Sequence, residues 1–412
     1  MTSLPKSTMP GWLGRLGNQA LDWKRTLIVN DFPPSTLAGA PLILRQCFLG
    51  MPAEHLFVLC CGTFHDPVDD TVRSTYLPCP HEVVPGIRRG AIRPSRWGVP
   101  LVANINTLRI PDITRRGIRI CKKHDINAIV TGTVNMEFTI AAWRIASQLG
   151  LPLYIWEPDD WFSANPAPAV NLLGRERMAS LHGAAHIWTV SEPMAKRFRD
   201  RYSLESEPLH HVLDIERCKD LAATVTPPND KIRIVYTGSI NEMFRETLVW
   251  FADIVNRGLT IDGRTVELVI WTPHKPSPYI GPNVHWGGFV PVEEIPLKLG
   301  ESHIAAVLVS FTDKPDIKSL IETSIYTKTV DYLASGTPTL IIAPEYAAQV
   351  EAFGSASVVL TQMDEDALVN AVRAMTLDSG ERTRLNEAGL ALVREKHSMA
   401  AREKIFLSKL RS

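Results

Sequence analysis

The run TKTVDYLASGTPTLIIAPEYA, residues 327 to 347, sets a charged helical turn, a Ser-Gly break and an apolar strand one after another. Lys328 and Asp331 are three residues apart, so on a helix from about Ile325 to Ala334 they share a face, while Val330, Leu333 and Ala334 can pack inward. Gly336 and Pro338 then turn the chain into TLIIA, which is too short and too rich in β-branched residues for a helix. A helix delivered to the edge of a buried strand is the repeating unit of a parallel α/β sheet.

Outward from this unit the same alternation recurs. TLIVN (26 to 30), LFVLCCG (56 to 62), NAIVTG (127 to 132), LPLYIWE (151 to 157) and AHIWTVS (185 to 191) are short buried strands between segments that can be helical. After the polar, Pro-containing TVTPPNDK (224 to 231) the pattern restarts with IRIVYTG (232 to 238), VELVIW (266 to 271), IAAVLVSF (304 to 311), TLIIA (339 to 343) and ASVVL (356 to 360). The 412 residues exceed what one core organises, so two doubly wound Rossmann-like α/β domains are expected. These are an N-terminal domain over 1–227 and a C-terminal domain over 228–395. A helical tail over 396–412 crosses back onto the N-terminal domain in this expectation.

Composition excludes several classes. A hydrophobic content of 45%, a charged content of 21% and a net charge of zero describe a globular chain without the basic excess of a nucleic-acid coat. The six cysteines (Cys47, Cys60, Cys61, Cys79, Cys121 and Cys218) lie mainly in apolar stretches without CxxC spacing, and read as reduced core residues. No apolar run reaches the ~18 to 20 residues that span a bilayer, and MTSLPKSTMPGWLGRLGNQALDW lacks the apolar core of a signal peptide, so a cytoplasmic address is expected. Against this neutral background Arg88, Arg89, Arg93, Arg96, Arg115, Arg116, Arg119, Lys122 and Lys123 crowd into residues 88–123, interleaved with Ile and Trp. That stretch is either a solvated face or a surface for an anionic membrane or a lipid pyrophosphate, which would put the protein peripherally on the inner face of the membrane.

In doubly wound sheets ligands bind beyond the carboxyl ends of the strands, and with two sheets the cleft between them is the expected site. After TLIVN, Gly39 in DFPPSTLAGAP either lets backbone approach an anion before a helix start or belongs to an ordinary loop punctuated by Pro33, Pro34 and Gly39 itself. After IRIVYTG, Gly238 and Ser239 precede a helix whose amides and dipole favour phosphate, and Arg245 adds a charge if it faces the ligand rather than solvent. Asp331 is either half of a surface ion pair with Lys328 or the acceptor for a sugar diol. In LPLYIWEPDDWFSANP, Glu157, Asp159 and Asp160 follow a strand, where they either orient an acceptor hydroxyl or cap the next helix. No metal is expected: there is no flanked DxD, and His210-His211 and Asp69-Asp70 lack a third ligand.

The pattern K-x-x-D-Y-L-A-S-G-x-P before an apolar strand resembles the nucleotide-sugar segment of the family 4 retaining glycosyltransferases of the GT-B fold. DFPPSTLAGAP, TVSEPMAKRF (189 to 198), IRIVYTGSI and VHWGGFVPVEEIPLKLGESHIAAVLVSF (284 to 311) resemble further family segments in the family's order. The resemblance implies that Asp331 binds ribose where the family usually has Glu, and that Gly238, Ser239 and Arg245 hold the diphosphate with Lys328 as a second cation. It also implies that Phe289 and Val290 border the base and that Gly39 faces the diphosphate from the N-terminal domain. The family often places another Glu eight residues before the ribose carboxylate, and here that position is Thr323, with Glu322 beside it as a displaced substitute.

A hexosyltransferase is therefore expected, moving sugar with retention from a nucleotide-sugar donor to a glycan, lipid-linked or small-molecule acceptor, as in polysaccharide biosynthesis, and without metal or other cofactor. Arginine, lysine and helix N-termini can stabilise the leaving diphosphate. The alternatives are a nucleotide-sugar epimerase or hydrolase on the same fold, and a catalytically silent, transferase-like binding subunit.

Overall fold

The computed structural model describes residues 23–36, 39–61, 73–84, 108–132, 136–160, 171–276 and 278–411. Its strands are β1 (Thr26–Asn30), β2 (Leu56–Cys61), β3 (His81–Val84), β4 (Ala128–Thr131), β5 (Leu153–Glu157), β6 (His186–Thr189), β7 (Glu207–Pro208), β8 (Lys231–Thr237), β9 (Thr260–Ile261), β10 (Arg264–Trp271), β11 (Val284–Gly288), β12 (Ile304–Leu308), β13 (Thr339–Ile342) and β14 (Val358–Leu360). They form two sheets, one in the order β3-β2-β1-β4-β5-β6-β7 and one in the order β11-β10-β8-β12-β13-β14, with β9 antiparallel on β10. The pairings of β1 with β2 and β4, and of β8 with β10 and β12, are parallel. Strands β1, β4, β12 and β13 are buried along their whole length, as strands covered by helices on both faces must be.

Each sheet reverses its winding beside its first strand, at β1/β4 and at β8/β12. Such a switch point opens a crevice at the carboxyl ends of the strands. In the first sheet that end is braced by Asn30, whose Nδ2 donates to the Gly132 carbonyl at 3.3 Å and whose Oδ1 accepts from the Gly132 amide at 2.8 Å. Gly39 follows, at φ +75°, as the N-cap of the helix Ala40–Cys47. A side chain would strain that backbone, so the helix starts where the glycine permits it.

The sheets divide between β7 and β8, but packing groups the chain differently. One unit is Met1–Tyr154 with Phe406–Ser412, and the other is Ile155–Ile405. In the first unit the tail is fixed by the Lys24 amide on the Leu410 carbonyl at 2.9 Å and by Phe406 set edge-on against Phe48, with ring centroids 5.1 Å apart. In the second, Asp159 after β5, Ser191 after β6 and Arg197 on the helix that follows are bonded to Ser324, Thr323 and Ser319.

Several elements differ from the sequence reading. The helix carrying Asp331 is Lys328–Ala334 and starts three residues later than Ile325; ahead of it the Tyr326 amide donates to Gln349 Oε1 at 2.7 Å. VHWGG, which is not among the strands expected from the sequence, forms the edge strand β11. Arg88, Arg89, Arg93 and Arg96 lie outside the described residues. Arg115, Arg116 and Arg119 sit on the helix Ile110–His124, where Arg116 and Arg119 reach Glu82 at 3.2 and 2.6 Å and Arg115 reaches Asp112 at 3.3 Å, while Lys122 and Lys123 are exposed. No helix among the described residues is long and apolar enough to cross a membrane.

Candidate functional site

Strand β8 ends on Tyr236-Thr237, and the chain then turns at Gly238 with φ +121°. The Gly238 amide donates to the Trp271 carbonyl at 2.8 Å, and the Tyr236 hydroxyl donates to the Ser239 carbonyl at 2.8 Å. A Cβ at 238 would overlap Tyr326 Oη and would stand 3.6 Å from Lys328 Cγ. The glycine after β8 and the lysine before Asp331, 90 residues apart in sequence, therefore meet at the switch point of the second sheet.

Three tyrosines frame this turn. The Tyr326 hydroxyl donates to the Thr237 carbonyl, the Thr237 amide donates to Tyr332 Oη at 2.9 Å, and the Tyr236 and Tyr326 rings stack at 5.9 Å. Burial pushes the Tyr332 hydroxyl up to about 12 and drives Tyr326 well above its ordinary value, so both remain neutral donors. Behind the turn Asp331 is 2% exposed, with Lys328 Nζ 3.5 Å from its Oδ2. Among the described residues Oδ2 has no hydrogen-bond donor. The adjoining His211 is buried, which pushes its imidazole down to about 4, with Asp331 pulling it back and Lys328 adding to the fall. Cys218 borders the same pair, and burial raises its thiol to about 12.

The three acids after β5 separate by environment. Glu157 is buried and takes both its hydrogen bonds, at 2.6 and 2.8 Å, from buried Arg177. Burial pushes its carboxyl up to about 7 against the pull of that guanidinium. Asp160 is fully buried and accepts the Tyr202 hydroxyl at 3.0 Å, with Arg197 3.6 Å away. Asp159 is partly exposed and accepts the Ser324 hydroxyl at 2.9 Å; burial raises it to about 6, Ser324 lowers it and Asp160 raises it. The expectation that all three acids face an acceptor thus meets two that are turned inward, because each has a cation or hydroxyl to answer its burial.

Arg197, on the helix Glu192–Tyr202, donates to Ser319 Oγ at 2.7 Å and to Glu322 Oε2 at 2.5 Å. Glu322, expected as a displaced sugar-contacting acid, is held in this ion pair. Thr323 is fully buried, with its hydroxyl on the Ser319 carbonyl at 3.0 Å and its own carbonyl taken by the Ser191 hydroxyl.

The other expected residues lie further out. Ser239 is exposed directly after Gly238. Arg245 is exposed on the helix Glu242–Asn256, 3.4 Å from Glu242. Phe289 is 69% exposed just past β11, where Gly288 takes φ +90°, and Val290 follows it half-buried. Among the described residues no three His, Cys, Asp or Glu side chains gather as a metal site requires.

Arg177, Ser191, Arg197, Ser324 and Tyr326 were missed by sequence reasoning. One signal was available: Tyr326 stands two residues before Lys328, inside the stretch already singled out, and an aromatic beside a glycine turn packs against it.

No family model matches the chain, and no curated protein matches it significantly in sequence. Solved structures do match in fold. Sucrose-phosphate synthase from Thermosynechococcus elongatus superposes with a TM-score of 0.66 at 14% identity, covering 93% of this chain and 96% of that one. Anabaena HepE in complex with UDP gives 0.66 at 13% identity over 93% and 99%. The UDP-forming α,α-trehalose-phosphate synthase from Burkholderia vietnamiensis gives 0.63 at 10% over 94% and 99%. Two doubly wound parallel-sheet domains in this connectivity are the GT-B fold, and at such identities the likeness is one of fold.

Proposed function

We propose that the chain is a glycosyltransferase that moves a sugar from a nucleoside diphosphate donor to a glycan, lipid-linked or small-molecule acceptor, with retention and without a metal. The observation that carries this reading is the meeting of Gly238, Lys328 and Asp331 at the carboxyl end of β8, since the two segments that resemble the family's donor site are neighbours in space. HepE, which shares the fold, has been solved with UDP and with UDP-glucose.

In this reading Oδ2 of Asp331, which is ion-paired with Lys328 at 3.5 Å but makes no hydrogen bond, accepts from the ribose hydroxyls, because a diol supplies the hydrogen bonds that a buried carboxylate oxygen needs. Lys328, Ser239 and, on rotation away from Glu242, Arg245 meet the diphosphate, and Gly238 keeps the approach clear. Phe289 offers an exposed ring to the base. As the anomeric C–O bond breaks, charge builds on the leaving oxygens, and fixed cations lower that barrier. The acceptor hydroxyl is oriented by Asp159 and gives its proton to the leaving phosphate, so no dedicated base is needed. The basic helix Ile110–His124, through Lys122 and Lys123, would hold the enzyme at an anionic membrane.

A second reading, a silent binding subunit, is favoured by one observation: position 323 is a buried threonine and Glu322 is spent on Arg197. One experiment separates the two. The protein is incubated with UDP-, GDP-, TDP- and ADP-sugars in the presence of a chelator, and nucleoside diphosphate is measured. Release from one donor is expected; binding without release across all of them would favour the silent subunit.

A further inference from the structure

Three consecutive residues, Glu322, Thr323 and Ser324, are each gripped by a different partner: Arg197, Ser191 and Asp159. Two of these grips are internal ties. The third joins a partly exposed acid to the loop that, two residues on, supplies Tyr326 to the Thr237 carbonyl and, four residues on, supplies Lys328. We propose that Ser324 is a positioning residue of the transfer reaction, whose hydroxyl holds the Asp159 carboxylate in the orientation in which it receives the acceptor's hydroxyl. This rests on the transferase reading above and adds to it a residue that touches neither substrate.

The geometry favours Asp159 over its neighbours. Glu157 and Asp160 are enclosed and answered by Arg177, Arg197 and Tyr202, so neither can turn to a ligand without leaving a buried cation or hydroxyl unpaired. Asp159 instead spends one oxygen, Oδ1, on a neutral hydroxyl. Burial and the neighbouring Asp160 disfavour its ionisation, Asp159 in turn disfavours that of Glu157, and Arg177 and Arg197 face Glu157 and Asp160. A hydroxyl that donates to a carboxylate stabilises its ionised form, and it also fixes the side-chain torsion. Removing it should therefore do two things at once: loosen the aim of the carboxylate and make it harder to ionise.

The test is the pH dependence of kcat/KM for the acceptor in wild type, Ser324→Ala and Ser324→Thr, together with a 13C carboxyl titration of Asp159 assigned with Asp159→Asn. In Ser324→Ala the acid limb should move up by about one pH unit, so that kcat/KM for the acceptor at pH 5.5 falls about tenfold. KM for the donor should stay within about twofold, and Ser324→Thr, which keeps the hydroxyl, should restore the wild-type profile. The carboxyl titration should move in the same direction. An active Ser324→Ala enzyme whose acid limb and carboxyl titration match wild type would overturn the assignment. A wild type that releases no nucleoside diphosphate from any donor would overturn the transferase reading, and this role with it, in a different measurement.

Discussion

Gly238→Ala probes the joint between the end of β8 and the segment that carries Tyr326 and Lys328. Gly238 sits at φ +121°, where an L side chain is strained by about 1 to 3 kcal/mol. Its new Cβ would also overlap Tyr326 Oη. The Tyr326 ring is enclosed by Tyr236 and Phe244, so it cannot swing away freely, and moving it surrenders the hydroxyl bond to the Thr237 carbonyl at a cost of about 1 to 3 kcal/mol. The two effects together predict a loss of about 2 to 6 kcal/mol. Tyr326→Phe removes the obstructing oxygen and should cost about 1 kcal/mol by itself. In the double variant the overlap has gone, so the losses should fall short of the sum by at least about 1 kcal/mol. Urea midpoints at constant slope measure all four corners, and UDP calorimetry on the same proteins reports whether the turn also serves the donor. A Gly238→Ala loss below about 0.5 kcal/mol, or strict additivity in the double variant, would refute this account of the joint.

Further outcomes are expected at four other places. Asp331→Ala should weaken nucleotide binding by about 1 to 3 kcal/mol in calorimetry; an unchanged affinity in a folded variant removes Asp331 from the donor site. Arg177→Met should cost about 3 to 5 kcal/mol of stability by stranding the buried Glu157 carboxyl, and Glu157→Gln/Arg177→Met together should recover much of it in urea unfolding. His211 and His397 are held neutral by burial, which lowers them from 6.5 to about 4 and about 3, so the fold binds fewer protons than the unfolded chain below pH 6.5. Their contribution is complete above 6.5 and declines as pH falls toward 4, by about 3 kcal/mol for His211 at the lower limit; a midpoint that stays flat between pH 7 and 4 would contradict it. Lys122→Glu/Lys123→Glu should abolish cosedimentation with anionic vesicles at low salt and leave turnover on a soluble acceptor intact, and equal binding to neutral vesicles would mean the helix is only a solvated face.

What could be read in the sequence follows from how locally each feature is determined. TLIVN, IRIVYTG and TLIIA announce themselves because their β-branched runs have no other good conformation. VHWGG did not, since two glycines hide an edge strand whose evidence is its neighbour β10. Gly238 was legible as a residue placed just after a strand, and Lys328 as one placed just before Asp331, the acid expected to accept from a sugar diol. EPDD was legible as chemistry but not as geometry. Glu157, Asp159 and Asp160 are alike on paper, and only Arg177, Arg197 and Ser324, 20 to 165 residues distant along the chain, decide which of them is left toward solvent. Arginine partners of this kind leave no local periodicity, because the pairing depends on how whole helices pack.

Position 323 carries a consequence for the history open to this chain. A glutamate there would have to occupy a space in which Thr323 has no exposed surface, beside a carbonyl already committed to Ser191 and one residue from an acid already committed to Arg197. Exchanged alone, it would bury a second negative charge within reach of one guanidinium, at a cost of several kcal/mol. An acid could enter at 323 only together with a new cation nearby or with the loss of Glu322.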